Sequence, residues 1–304
     1  MHTLAIVGCG NIGSRLLQSA SRAPVDDLHI WAVEPHTPAR ELAAERFHET
    51  SDRGHTLHAV DSVSALPPAL DLLVVATRAH TRMQALDAAL DHTAPRAVLL
   101  EKTLWTKLSD YGRGLQKLRG APVFVNTTRN IWPGYLALRD HLSDTPLHYE
   151  ASGSDWNLAS NAIHFLSVAE FLARSHVTGI TLTDTLARNA KRDGYRDLTG
   201  TLHAKLEDGS TVTLRSHTEP GDPLTVTLTQ GDRTRTIREG AQEMDGQAFP
   251  MLHASQIGDE LARLVTTATS GLPTLASSTR LHETFLHALA PHVGGGDPDL
   301  IMVT

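Results

Sequence analysis

Three stretches of this chain carry residues suited to binding a nucleotide or moving a proton. Gly8, Cys9, Gly10, Asn11, Ile12 and Gly13 form a GxGxxG run that follows an apolar, strand-like segment and opens a helix-like one. In that context the first glycine permits a tight turn, the second lets the backbone approach a pyrophosphate, and the third lets helix and strand pack closely. The backbone amides at the start of the helix, over Asn11, Ile12 and Gly13, then offer donors to phosphate. Cys9 reads as a small turn residue. Glu34 stands 21 residues after Gly13, at the end of the next apolar segment, where a carboxylate accepts hydrogen bonds from an adenosine ribose. Its charge repels a 2′-phosphate, which favours NAD, whereas His36, Thr37 and Arg40 just beyond keep NADP as the alternative cofactor.

The second stretch is Glu101-Lys102, directly after the apolar run Ala97–Leu100. That spacing puts Lys102 at the carboxyl end of a sheet strand, where ligands bind in open α/β sheets; the plain alternative is a solvated ion pair with Glu101. Thr77, followed by Arg78 and His80, ends another apolar run in the same way, so these three residues are placed to touch a nicotinamide ribose or a substrate, or else to be solvated. In the third stretch, Asn157, Asn161, His164 and Ser167 recur at helical spacing as a polar stripe, with Trp156 just ahead of them. Ile163, Phe165, Leu166, Ala169 and Leu172 supply the apolar surface of the same helix. A polar stripe on a helix that covers a core needs partners. Either Trp156, Asn157 and Asn161 hold a substrate while His164 handles a proton, or His164 is a core histidine bonded to a carbonyl and Asn161 a structural tie.

The elements that must position these residues alternate in the first part of the chain. Strand signals over Leu4–Val7, His29–Val33, Leu72–Ala76, Ala97–Leu100 and Val123–Asn126 are separated by helical stretches over Gly13–Ser21, Pro38–Phe47, His80–Leu90 and Leu108–Leu118. That order predicts a doubly wound parallel sheet over residues 1–127. From there to residue 304 the pattern changes to longer β segments: Thr178–Leu186, Thr199–Leu206, Thr211–Arg215 and Leu224–Thr229, with turns at Asp208-Gly209 and Gly231-Asp232. Alternation of Leu224, Val226 and Leu228 with Thr225, Thr227 and Thr229 predicts one apolar and one threonine-rich face. Helices over Asn157–Arg174 and Met251–Thr267 are expected to cover the apolar face, so the second half reads as an α+β domain with a mainly antiparallel open sheet.

Composition narrows the function classes. In 304 residues, 27 basic against 34 acidic side chains leave a net charge of −7, with the basic ones scattered, so there is no footprint for nucleic acid or an anionic membrane. A small-molecule partner is the better default. The single cysteine points away from an oxidising compartment, and the N-terminus lacks a leader pattern, so a cytoplasmic location is expected. The 18 histidines show no metal-ligand spacing, so no metal is expected. His282, His287 and His292, five residues apart, read as surface residues.

Taken together, the glycine run, Ala76-Thr77, Glu101-Lys102, the His164 helix and Leu272-Pro273-Thr274-Leu275 resemble the Gfo/Idh/MocA family, that of glucose–fructose oxidoreductase and inositol dehydrogenase. The resemblance covers most of the chain and implies a Rossmann domain followed by a domain for substrate binding and oligomerisation. It also implies hydride transfer between a nicotinamide and a carbinol or carbonyl carbon of a sugar, cyclitol or related polyol. In the family a lysine and a histidine contact the substrate beside the nicotinamide; here they correspond to Lys102 and His164. Two departures stand out: Thr103 replaces the family's proline, and Ser160 and Ser167 replace frequent acidic residues four before and three after the histidine. Family members commonly pair through the second sheet, which implies a homodimer or homotetramer. Imine or amino-acid-type reduction on the same scaffold is the nearest alternative, and a non-catalytic dinucleotide-binding sensor is the other.

Overall fold

The computed structural model describes residues 1–190, 194–293, 297, 299 and 301–303. The chain divides into two compact units, the first formed by Met1–Trp105, Gly112–Asn126 and Leu252–Leu275 and the second by Thr106–Tyr111, Thr127–Met251 and Ala276–Thr304.

In the first unit, strands β1 (His2–Val7), β2 (Leu28–Val33), β3 (Thr56–Val60), β4 (Ala69–Val75), β5 (Ala94–Leu100) and β6 (Val123–Val125) form one sheet in the order β3-β2-β1-β4-β5-β6. Every neighbouring pair is parallel. Leu4 to Ile6, Leu72 to Val75 and Ala97 to Leu100 are fully buried, as central strands covered on both faces must be. Each such aliphatic side chain contributes about 1.5–3 kcal/mol by leaving water. Edge strand β3 is only half-buried and carries no continuous apolar run, which is why its sequence gave no strand signal. The crossovers include helices α1 (Asn11–Ala20), α2 (Thr37–Thr50), α3 (Ala79–Leu90) and α4 (Ser109–Lys117), each within a few residues of its expected span.

The second unit is built on eight strands: β7 (His148–Ser154), β8 (Val177–Asn189), β9 (Arg196–Leu206), β10 (Thr211–His217), β11 (Thr225–Gln230), β12 (Arg233–Arg238), β13 (Glu243–Met244) and β14 (Gln247–Ala248). Their order is β14-β13-β12-β11-β7-β10-β9-β8, antiparallel throughout except for the parallel pair β7–β10. Asp208-Gly209 and Gly231-Asp232 make the two expected hairpin turns, both with glycine in the left-handed region. Alternation holds: Tyr149, Ala151, Val212, Leu214, Val226 and Leu228 are buried, while the threonines between them stay half-exposed. Helix α5 (Pro133–Asp140) precedes the sheet, and α6 (Leu158–Ala173) packs its apolar side on β9 and β10.

Three expectations are corrected. The stretch expected as a helix over Met251–Thr267 is helical as α7 (Gly258–Thr267), and α7 covers β1, β4 and α1 of the first unit instead of the second sheet. Gly258 lies against the Ser19 carbonyl and Ala23, a close approach that a side chain would block. Residues 252–275 thus return to the first unit, so the two units are not the contiguous segments 1–127 and 128–304. Finally, in α8 (Leu275–Val293) His287 is exposed, but His282 is buried with its ring nitrogen on the Ser278 carbonyl, and His292 meets the Thr185 hydroxyl.

Candidate functional site

Strand order reverses between β1 and β4, and the residues singled out in the first half lie at the carboxyl ends of these strands and their neighbours. Gly8 follows β1 at φ +89°, and a Cβ there would press on Thr77 at the end of β4. A Cβ on Gly13 would collide with the Gly8 carbonyl oxygen, whereas one on Gly10 would meet open space. The three glycines therefore do different things: two close the turn against α1 and β4, and the third leaves backbone bare where a ligand approaches. Asn11 and Ile12 are exposed on the first turn of α1, and Gly10 supplies no side-chain cap, so the helix amides face outward. Cys9 is buried with its thiol on the Ile6 carbonyl, and burial pushes its pKa up to about 12, so it is inert as a nucleophile.

Glu34 ends β2, and its carboxylate accepts from the His36 amide at 3.1 Å. Arg40 donates to the Glu34 carbonyl at 2.7 Å and to the Thr37 hydroxyl at 3.3 Å. The acid and the guanidinium thus share one strand end, with the acid held by the turn that begins α2.

Lys102 follows β5 and is half-buried; its peptide bond to Thr103 is cis. Glu101 is 6% exposed, its carboxylate taking the Asn126 amide of the next strand end, and burial raises its pKa despite Asn126, Arg82 and Lys102, which draw it down. Sequence reasoning missed Arg82. It is 2% exposed on α3, and its Nη1 donates to the carbonyls of Glu101, Thr103 and Leu104 while Nη2 donates to that of Thr77. One guanidinium thereby ties together the turns that carry Thr77 and Lys102. Nothing in the sequence marks it, because its partners are main-chain carbonyls. Arg78 and His80 are exposed, and burial together with Arg78 lowers the His80 pKa.

In the second unit, α6 begins after Asp155, Trp156 and Asn157, with Asp155 and Asn157 in the left-handed region. Trp156 is buried against Phe165, and its indole N–H donates to the Arg215 carbonyl at 2.7 Å. Asn161 donates to the Trp156 carbonyl at 2.8 Å, and Asn157 accepts from Arg188, which also pairs with Asp155. Of the expected substrate residues, Trp156 is thus committed to packing, while Asn157 and Asn161 brace the turn that opens α6 and remain half-buried. Ser167 is buried, its hydroxyl within hydrogen-bond distance of the Thr127 hydroxyl and the Asn130 side-chain oxygen. His164 is half-buried, with Nδ1 shielded from solvent. Arg129, stacked on the Phe165 ring, is paired through two bonds with Glu239, which also accepts from Tyr135. Burial alone would lower the Arg129 pKa, but Glu239 beside it holds it above the usual value.

Among the described residues no group of three or more His, Cys, Asp or Glu could hold a metal ion, and no helix is long and apolar enough to cross a membrane. A bare glycine turn at the switch point of a parallel sheet, with a carboxylate ending the second strand, defines a dinucleotide-binding Rossmann protein. Residues 2–127 match the profile of the Gfo/Idh/MocA family, described as an oxidoreductase family with an NAD-binding Rossmann fold. Over these residues the chain is similar to that family, and the nucleotide cofactor of this domain is NAD. The turn fits this group: its glycines leave the cradle open, and among the described residues the buried Thr77 hydroxyl beside it has no hydrogen-bond partner.

No curated protein matches the chain. Solved structures share its fold over nearly the full length. UDP-N-acetylglucosamine 3-dehydrogenase GnnA from Acidithiobacillus ferrooxidans is 16% identical with a TM-score of 0.71, covering 95% of this chain and 97% of that one. Myo-inositol dehydrogenase from Lactobacillus casei, in complex with NAD(H) and myo-inositol, is 16% identical with a TM-score of 0.68, covering 95% and 93%. An oxidoreductase from Agrobacterium radiobacter, in complex with NAD+, L-tartaric acid and magnesium, is 15% identical with a TM-score of 0.71, covering 94% and 95%.

Proposed function

We propose that this protein is an NAD-dependent dehydrogenase acting on a carbinol or carbonyl carbon of a sugar, cyclitol or related small polyol. The observation that carries the reading is the clamp of Arg82 on the turns bearing Thr77 and Lys102, which fixes a cation at the carboxyl end of β5, in the same row of strand ends as the glycine turn. The substrates named for GnnA and the Lactobacillus casei enzyme support the polyol class.

Bound NAD supplies hydride acceptance at its nicotinamide ring. The chain's own residues do the rest. The amides over Asn11 to Gly13 bind pyrophosphate, Glu34 the ribose hydroxyls, and Thr77 the nicotinamide end. Lys102 offsets negative charge developing on the substrate oxygen, and His164 takes or returns the hydroxyl proton. Asn161 and Asn157 orient the remaining substrate hydroxyls. The threonine-rich face of β10 and β11 is the surface through which we expect the chain to self-associate.

The test is NAD+ reduction, followed at the NADH absorbance, over a panel of myo-inositol, UDP-N-acetylglucosamine, L-tartrate and common aldoses. Turnover of at least one, lowered on the order of 10²-fold by Lys102→Met, supports the reading. Tight NAD+ binding with no turnover across polyols would favour a dinucleotide-binding sensor instead.

A further inference from the structure

We propose that Asp197 is a positioning residue for His164 and acts through Ser160. The proposal rests on reading His164 as the proton-handling group, and its test is chosen to separate the two.

Asp197 lies on β9 and is 1% exposed, so its carboxylate must find donors inside the protein. One oxygen, Oδ1, accepts the Ala159 amide at 2.9 Å and the Leu198 amide at 2.8 Å. The other, Oδ2, accepts the Ser160 hydroxyl at 2.5 Å. Ala159 and Ser160 belong to the first turn of α6, where amides lack helical partners and Asn157 provides no side-chain cap. A negative charge is well placed there. Capping, however, accounts for only one of the two oxygens.

The second oxygen holds the Ser160 hydroxyl, one turn before His164 on the same helix. Ser160 and His164 are four apart on α6, neighbours on one helical face, and helical side chains lean toward the N-terminus, which carries the imidazole over the turn that holds Ser160. A serine hydroxyl has one proton, and Asp197 takes it; the lone pairs of Oγ are then the side it offers an imidazole N–H. The carboxylate thereby selects which ring nitrogen carries the proton and stabilises the imidazolium. Among the described residues, the other charges on the elements packed against α6 are engaged elsewhere or exposed, His217 of β10 being paired with Glu219 and Asp222. Arg129 is neutralised by Glu239, Arg139 stacks on Phe171 near Glu170 at the far end of α6, and Arg196, His203, Lys205 and Arg215 are exposed.

The experiment follows the His164 imidazole by nitrogen-15 NMR in the full chain, its signals identified by their loss in His164→Asn. Asp197→Asn is nearly isosteric and keeps Oδ1 for both amides, removing the charge and reversing the bond to Ser160. Ser160→Ala leaves Asp197 and its backbone bonds in place, so it decides the matter if Asp197→Asn does not fold. We expect both to lower the imidazole titration midpoint by about half a unit or more and to alter the tautomer ratio. Adding Ser160→Asp to Asp197→Asn, which returns a carboxylate to the same turn, should restore the midpoint. An unchanged His164 midpoint with a lowered Tm would overturn the proposal and leave Asp197 as a helix cap. Full turnover by His164→Asn would instead overturn the reading of His164, whatever the NMR shows.

Discussion

Arg82 Nη1 donates to the Glu101 main-chain carbonyl at 2.7 Å, joining the first turns of α3 to the end of β5. The same guanidinium holds the carbonyls of Thr77, Thr103 and Leu104. Removing it strands buried acceptors and takes from Glu101 one of the two cations that lower its pKa. Arg82→Met should therefore cost about 3 kcal/mol or more, read as a lower urea midpoint. Arg82→Lys, a point charge without the fork, should recover only part of the loss. Equal stability of all three proteins would remove the clamp from the account.

NADH should bind more tightly than NADPH if, as proposed, the Glu34 carboxylate takes the ribose hydroxyls and its charge repels a 2′-phosphate. Titration calorimetry with both reduced cofactors checks this, and Glu34→Ala should narrow the gap. A tenfold preference for NADPH, ~1.4 kcal/mol the other way, would assign that strand end to Arg40 instead.

Lys102→Met keeps the aliphatic stem and removes the charge. On a panel substrate it should lower kcat on the order of 10²-fold while leaving NADH affinity nearly unchanged, since the loss falls on the transition state. Steady-state kinetics beside cofactor titration separates the two effects.

Burial pushes the Glu170 carboxyl up to about 7 from 4.5, against the Val177 amide and Arg280, which draw it down. Between those values the folded chain holds a proton that the unfolded chain has released, so raising the pH through this window removes stability. The loss from this group should be on the order of 1–3 kcal/mol and complete above about pH 7. Urea unfolding at pH 5 and pH 8 should show it, and Glu170→Gln should flatten the difference.

Self-association through the threonine-rich face of β10 and β11 predicts a dimer or larger species in sedimentation at tens of micromolar. Arg215 and Thr213 lie on that face, exposed and half-exposed. Introducing charge there, as in Thr213→Glu with Thr227→Glu on either side of Glu150, should shift the protein toward monomer.

Local patterns in the sequence were enough for the parallel sheet, its glycine turn and the position of Lys102, because buried strands write continuous apolar runs and tight turns demand glycine. The alternation of Leu224 to Thr229 likewise announced a sheet with two unlike faces. The short or half-exposed strands β3, β13 and β14 lacked such runs. Helix α7 has an apolar stripe that any sheet could bury, and only the folded chain shows it covering β1 and β4.

The site divides along the same line. Gly8 and Glu34 came from residue type and spacing along the chain, and Lys102 and His164 from their resemblance to the lysine and histidine of the Gfo/Idh/MocA family. What supports them did not: Arg82 reaches four carbonyls, and Asp197 reaches Ser160 from a strand 37 residues away. Ser160 and Ser167 stand where the family's acids would flank His164, and the fold sets the Asp197 carboxylate of β9 on Ser160. Hydrogen bonds to backbone and across strands leave no periodic trace, so tertiary structure alone decides them.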